Sequence, residues 1–174
     1  MNPVDIFVQT FFLHSRTQGL TEFMFIISRI FDVTIYSVLI TILVTTFIYF
    51  VRGRRFAILF IGSMTFGAII SYLLKLFFNV SRPTQAVFDV FGQSFPSYHA
   101  VIVTIFFTMM IYTFGSYLKA FWRKFFNTFC VLSILLVSFS RIYLGVHWLT
   151  DVLGGILLGV IVSYASVKIY KLSQ

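Results

Sequence analysis

An all-α bundle of membrane-crossing helices is the fold this sequence predicts, and three observations predict it. Hydrophobic residues make up 59% of the 174 positions and charged residues only 10%, with a mean hydropathy of +0.97. A water-soluble domain of that size has too little interior to hide so much apolar surface. The apolar residues also fall in blocks of about twenty, the length that crosses roughly 30 Å of hydrocarbon at 1.5 Å per residue. Finally, Lys and Arg gather in short clusters between those blocks. This spacing assigns the net charge of +8 to membrane topology, not to a nucleic-acid surface.

Taken in order, Val4 to Leu13 is apolar but too short to span, and the polar run His14 to Gln18 ends it, so it reads as an interfacial helix. Asp5 and Gln9 interrupt this stretch and no basic segment leads it, so no cleavable signal peptide is expected. Thr21 to Asp32 reads as helix, but Glu22, Arg29 and Asp32 place it at the interface or inside protein. Five spans follow: Val33 to Val51, Phe56 to Phe78, Ala100 to Leu118, Phe125 to Leu144, and Val152 to Val167, the last expected to begin earlier, near His147. Gly155 and Gly159 have the spacing of a close helix contact, although flexible filler explains them as well. Cys130 stands alone in an apolar block, so no intrachain disulfide forms. One domain is expected over 1–174, with its motif-bearing core at about 56–170.

Alternating the connections puts Arg52, Arg54, Arg55, Lys119, Arg123, Lys124, Lys168 and Lys171 on one face, with no acid among them. The other face balances Arg16, Arg29, Lys75, Arg82 and Arg141 against Asp5, Glu22, Asp32, Asp89 and Asp151. The positive-inside rule makes the first face cytoplasmic. The polar loop Asn79 to Tyr98, with Pro83 and Pro96 as breakers, becomes an ordered excursion on the outer face.

Polar residues from three separate stretches reach that outer level together. Lys75 and Arg82 come from the second span and the loop, Ser97 and His99 open the third span, and Ser140, Arg141, His147 and Asp151 join the fourth to the fifth. Three cations in a low-dielectric setting without matching acids call for an anion between them, and phosphate suits Arg forks and a Lys point charge. Amides at a helix start near Ser97 would add donors for the same anion. His147 and Asp151 are four apart, which on a helix lets the carboxylate hold Nδ1 and leaves Nε2 as a nucleophile. His99 is then available to protonate a leaving alkoxide and later to activate water. Taken singly, each histidine is more often structural than functional, and it is the joint pattern that favours chemistry. His14 lies outside the pattern, and Arg29 with Asp32 reads as a structural ion pair in preference to a substrate contact.

Lys75-x6-Arg82-Pro83, Pro96-Ser97-Tyr98-His99 and Ser140-Arg141-x5-His147-x3-Asp151 together resemble the three-part signature of the type 2 phosphatidic acid phosphatase superfamily. The resemblance implies a small membrane lipid phosphatase of the phosphatidylglycerophosphatase B or undecaprenyl-diphosphate phosphatase type. It implies catalysis without metal or cofactor: His147 attacks phosphorus, Asp151 orients it, and His99 serves the leaving group and water. Lys75, Arg82, Ser97, Tyr98 and Arg141 would hold the phosphate. The implied partners are a lipid phosphate (phosphatidylglycerol phosphate, phosphatidic acid or undecaprenyl diphosphate) and membrane lipids. The implied setting is a multi-pass protein of the cell membrane with its site on the extracytoplasmic face. Family members usually have six helices, which suggests a missing or reduced first helix here. A lipid phosphotransferase, which would pass the phosphoryl group from His147 to another acceptor, stands as an alternative, and because Tyr98 stands where the family has glycine so does a weakened lipid-phosphate binder. If the φ at Tyr98 is negative its N–H can still meet phosphate; if positive, the loop must rearrange.

Overall fold

A computed structural model describes residues 2–32, 35–115 and 117–172. They form seven helices: α1 (Pro3–Ser15), α2 (Gln18–Arg29), α3 (Ile35–Arg52), α4 (Arg54–Phe78), α5 (Tyr98–Phe114), α6 (Ala120–Tyr143) and α7 (Leu149–Leu172). Of these, α4, α6 and α7 are 24 or 25 residues long and apolar enough to cross a membrane, while α3 and α5 are apolar and shorter. The expected span start at Val33 lies outside the described residues. The third expected span is corrected at its end: α5 stops at Phe114 and not at Leu118, where the Gly115 amide closes the last turn on Ile111 O at 2.9 Å.

The core is centred on α5, whose Val101, Val103, Ile105 and Met109 are fully enclosed. A helix apolar on every side is stable only inside other protein or lipid, and α5 packs against α4, α6 and α7. The outer helices turn Leu43, Phe50, Phe77, Phe125 and Leu157 outward, as a bilayer requires and water would not tolerate.

Gly155 and Gly159 are packing residues, not filler. A Cβ at Gly155 would lie 2.8 Å from Ser97 O, and one at Gly159 would lie 2.6 Å from Thr104 Cβ. Their hydrogen-only faces let α7 press directly on α5. This contact sets the level of the α7 N-terminus against the α5 N-terminus, where the polar residues meet.

The N-terminal helices cap that polar end. Asp5 is buried and accepts from Thr150 N (3.0 Å) and Thr150 Oγ1 (2.7 Å), which caps the first turn of α7. Gln9 Nε2 donates to Ile142 O (3.3 Å) and His147 O (3.0 Å), and Arg16 donates to Tyr143 O and Gln85 O. Helix α2 lies along α6. Exposed His14 meets the Thr10 carbonyl of its own helix at 2.8 Å, away from the site. At the opposite end Arg52 donates to Tyr112 O (3.3 Å) and Lys171 lies 5.3 Å from the Tyr112 ring, so the α3–α4 turn, the end of α5 and the end of α7 share one level.

Candidate active site

His147 sits in the short turn between α6 and α7. That turn exists because Gly145 adopts φ +73°, which carries the chain from one helix into the next. The expected shared helix face for His147 and Asp151 is therefore corrected: α7 begins only at Leu149, and His147 precedes it. The intended contact nevertheless forms. Asp151 Oδ2 accepts from Trp148 N at 2.8 Å, capping its own helix, and lies 3.4 Å from His147 Nδ1.

The tautomer follows from the partners. Arg82 Nη1 lies 3.2 Å from His147 Nε2 and can only donate, so Nε2 carries the lone pair and Nδ1 the proton. Ser94 adds a second contact to Nδ1, at 3.3 Å, while donating to Asp151 Oδ2. Burial first, then the charges of Arg82, Arg141, Lys75 and His99, push the His147 pKa well below the ordinary imidazole range. His147 is thus held neutral, with its unprotonated nitrogen directed at cations.

Two of those cations, Lys75 and Arg82, are held by carbonyl oxygens, and among the described residues neither forms an ion pair with a carboxylate. Lys75 Nζ donates to Gln93 O (2.8 Å) and Ser94 O (3.0 Å), and Arg82 donates to Gly92 O, Gln93 O and Val146 O. Burial lowers the Arg82 pKa, with Asp151 opposing. Buried Arg141 donates to Ser28 Oγ and lies 5.8 Å from the Phe88 ring. The carbonyls of Gly92, Gln93 and Ser94 belong to the loop after α4, which folds back so that Ser94 N reaches Val80 O at 2.8 Å, while that of Val146 comes from the α6–α7 turn.

Ser97 caps α5 in an extended conformation, and its amide donates to Asp151 O at 3.0 Å. Its carbonyl receives the Val101 amide, which leaves the amides of Tyr98, His99 and Ala100 as the free donors of a helix start. Among the described residues Asn79 is the only non-glycine with positive φ, so Tyr98 enters the first turn of α5 with ordinary helical geometry. Its replacement of glycine leaves the backbone unstrained and the amide in place. The Ser97 hydroxyl, Arg141 Nε and Asp151 Oδ1 are buried without a hydrogen-bond partner among the described residues. Each such group costs about 1–3 kcal/mol unless something polar meets it. An anion at the α5 N-terminus suits the first two of these, both donors.

His99, in the first turn of α5, lies 2.7 Å through Nε2 from Asp32 Oδ1. The expected ion pair also forms, at 3.7 Å from Arg29 Nε to Asp32 Oδ2, but it is one side of a carboxylate whose other oxygen holds a site histidine. Ser140 turns its hydroxyl back to Val137 O, within its own helix. Beside Tyr98 an apolar cavity of about 350 Å³ runs between α3, α4 and α5, lined among others by Ile61, Met64, Ala68, Ile102 and Phe106.

The structure thus draws Lys75, Arg82, Ser97, His99, Arg141, His147 and Asp151 to one level, with Tyr98 between them and the cavity. It adds Ser94, Ser28 and Asp32, together with Gln9 on the carbonyl of His147. Asp32 stood out in the sequence only as a partner of Arg29, and Ser94 lies three residues before Ser97 in a loop already rich in polar residues.

Residues 56–174 match the PAP2 superfamily. A Sulfolobus acidocaldarius protein named undecaprenyl-diphosphatase is 32% identical over 67% of this chain and 54% of its own length. The lipid A 4'-phosphatase of Porphyromonas gingivalis is 27% identical over 76% of this chain and 60% of its own. The chain thus spans little more than half the length of these relatives. The crystal structure of the transmembrane PAP2 type phosphatidylglycerolphosphate phosphatase from Bacillus subtilis superimposes with a TM-score of 0.88, covering 98% of this chain and 86% of that one at 22% identity, and so shares its fold. The chain is a helical membrane protein and belongs to the PAP2 superfamily.

Proposed function

We propose that the protein is a lipid phosphatase that works through a phosphohistidine. The observation that carries this reading is His147, with Nδ1 against Asp151 and Nε2 3.2 Å from Arg82, near Lys75 and Arg141, three cations that form no ion pair among the described residues. A phosphoryl group between Lys75, Arg82, Arg141 and the α5 amides would place phosphorus within reach of Nε2. His147 attacks, the lipid oxygen leaves with a proton from His99, and water then attacks the phosphohistidine as His99 takes its proton. The charge spread over the phosphoryl oxygens in each transition state falls on donors already fixed by the loop carbonyls, so little reorganisation is needed.

The substrate class is a phosphomonoester or diphosphate on a membrane lipid, and the names of the relatives agree with that class. The hydrocarbon chain would lie in the apolar cavity beside Tyr98 and the headgroup at the α5 N-terminus. The helical φ at Tyr98 favours hydrolysis over mere binding, since its amide stays available. Helices α3 to α7 would make five passes through the cell membrane, with the site on the extracytoplasmic face opposite the cationic end.

Phosphate release from a panel of lipid phosphates in detergent, with chelator present, tests the reading. Release that survives chelation and vanishes in His147→Ala supports it, as does an acid-labile phosphoryl label on wild type. Release that persists in His147→Ala would remove the phosphohistidine.

A further inference from the structure

Asp32 has no part in the reaction described above, yet it makes the shortest contact that His99 has. It lies in the turn after α2, and its Oδ1 accepts the proton of His99 Nε2 at 2.7 Å while Oδ2 faces Arg29. Burial resists ionisation of this carboxyl, but the His99 hydrogen bond and the charges of His99, Arg141 and Arg29 win, and its pKa lies below the ordinary carboxylate value. An ionised carboxylate only accepts, so Nε2 holds its proton and Nδ1 is the nitrogen left to exchange one. The other charged groups facing His99 are Arg141 from α6 and Arg82 from the loop, both cations. An imidazolium at this position would meet like charge alone without Asp32.

We infer that Asp32 is a positioning residue for His99, forming with it a second His–carboxylate pair beside His147–Asp151. The inference rests on the proposed phosphatase reading. In the first step the lipid oxygen–phosphorus bond breaks as the bond from His147 Nε2 to phosphorus forms, and the proton on His99 Nδ1 passes to the leaving oxygen. In the second, water oxygen bonds to phosphorus, the nitrogen–phosphorus bond breaks, and a water proton returns to His99 Nδ1. Asp32 remains a carboxylate throughout. It keeps Nε2–H engaged and offsets the positive charge of His99 before the first transfer and after the second.

The experiment compares kcat/KM, which reports formation of the phosphoenzyme, on two substrates in detergent. One is phosphatidic acid, whose alkoxide needs a proton to leave. The other is a nitrophenyl phosphate bearing an alkyl chain, whose phenolate leaves without one. Asp32→Ala and Asp32→Asn should each lower kcat/KM for phosphatidic acid by roughly 10- to 100-fold, a part of what general acid catalysis supplies. On the aryl ester both should stay within about threefold of wild type. Asp32→Glu should recover part of the lost activity, and Asp32→Asn, of nearly the same shape, guards against a variant that merely misfolds. Equal losses on both esters, no loss on either, or a gain would overturn the inference while wild type and His147→Ala still uphold the phosphatase reading. A wild type that releases phosphate from neither ester overturns both together.

Discussion

The proposed nucleophile, His147, works only while Nε2 is unprotonated, so the pH at which it gains its second proton should limit the reaction from the acid side. Burial and the surrounding cations push that pH well below the ordinary value of about 6.5. Protonation grows as pH falls through the pKa, so the acid limb of kcat/KM, which reports the free enzyme, should fall below pH 6.5. Arg82→Gln removes the nearest cation, so the limb should move to higher pH, and the plateau should drop by roughly 100-fold. A wild-type limb at or above 6.5 would contradict this account. Tyr98 yields a second expectation. Its backbone is unstrained, so Tyr98→Gly should restore nothing, but it should remove one wall of the apolar cavity. Losing about 1.5 kcal/mol of apolar contact corresponds to about tenfold in KM for a long-chain lipid, with kcat and short-chain KM little changed. The residues of the site that the sequence exposed were polar exceptions at the ends of apolar spans, where their cost demands a reason. Ser94 escaped notice because loop serines are ordinary, and Asp32 was read only as the partner of Arg29, since their site partners lie 57 and 67 positions away.

At the scale of helices, the turn that carries His147 is held from outside by α1. Asp5 caps the start of α7, and Gln9 binds the carbonyl of His147 itself. The sequence marked α1 as a short interfacial helix over Val4 to Leu13, one residue short at its start and two at its end, and Asp5 and Gln9 registered only as breaks in an apolar run. Their role needs the α6–α7 turn beside them, and no local pattern announces a contact across 145 positions. Asp5→Ala leaves the Thr150 amide without its cap and should cost about 1–2 kcal/mol. The expected signs are a lower unfolding temperature in detergent and a lower kcat, while a change in neither would reduce α1 to a passive cover. Gly159 acts through the other side of α7. Any side chain there meets Thr104 and the Val101 carbonyl, so Gly159→Val should separate α7 from α5 and displace Asp151 relative to Ser97. Overpacking of this kind typically costs about 1–3 kcal/mol. Activity should fall with stability, and a fully stable, fully active Gly159→Val would show that the close approach is dispensable.

Over the molecule as a whole, charge and chemistry divide between the two ends of the bundle. Arg52 and Lys171 meet around Tyr112 at one end, while Lys75, Arg82, Arg141, His147 and Asp151 gather at the other. All of the net +8 resides at the first end, because the five cations of the second are matched in number by five acids. Cationic loops resist translocation, so the first end should stay in the cytoplasm and the site should face outward. Single cysteines report this directly. In a Cys130→Ala background, Asp89→Cys lies in the exposed loop of the site end and Lys119→Cys in the exposed turn before α6. An impermeant thiol reagent should label Asp89→Cys on intact cells and Lys119→Cys only after permeabilisation. The reverse pattern would put the site on the cytoplasmic side. The proposed substrate would then have to come from the inner leaflet, and the charge bias would have to be outweighed by something in the spans themselves. The outward result instead confines the reaction to lipid phosphates that reach the outer leaflet, which couples this protein to whatever carries its substrate across.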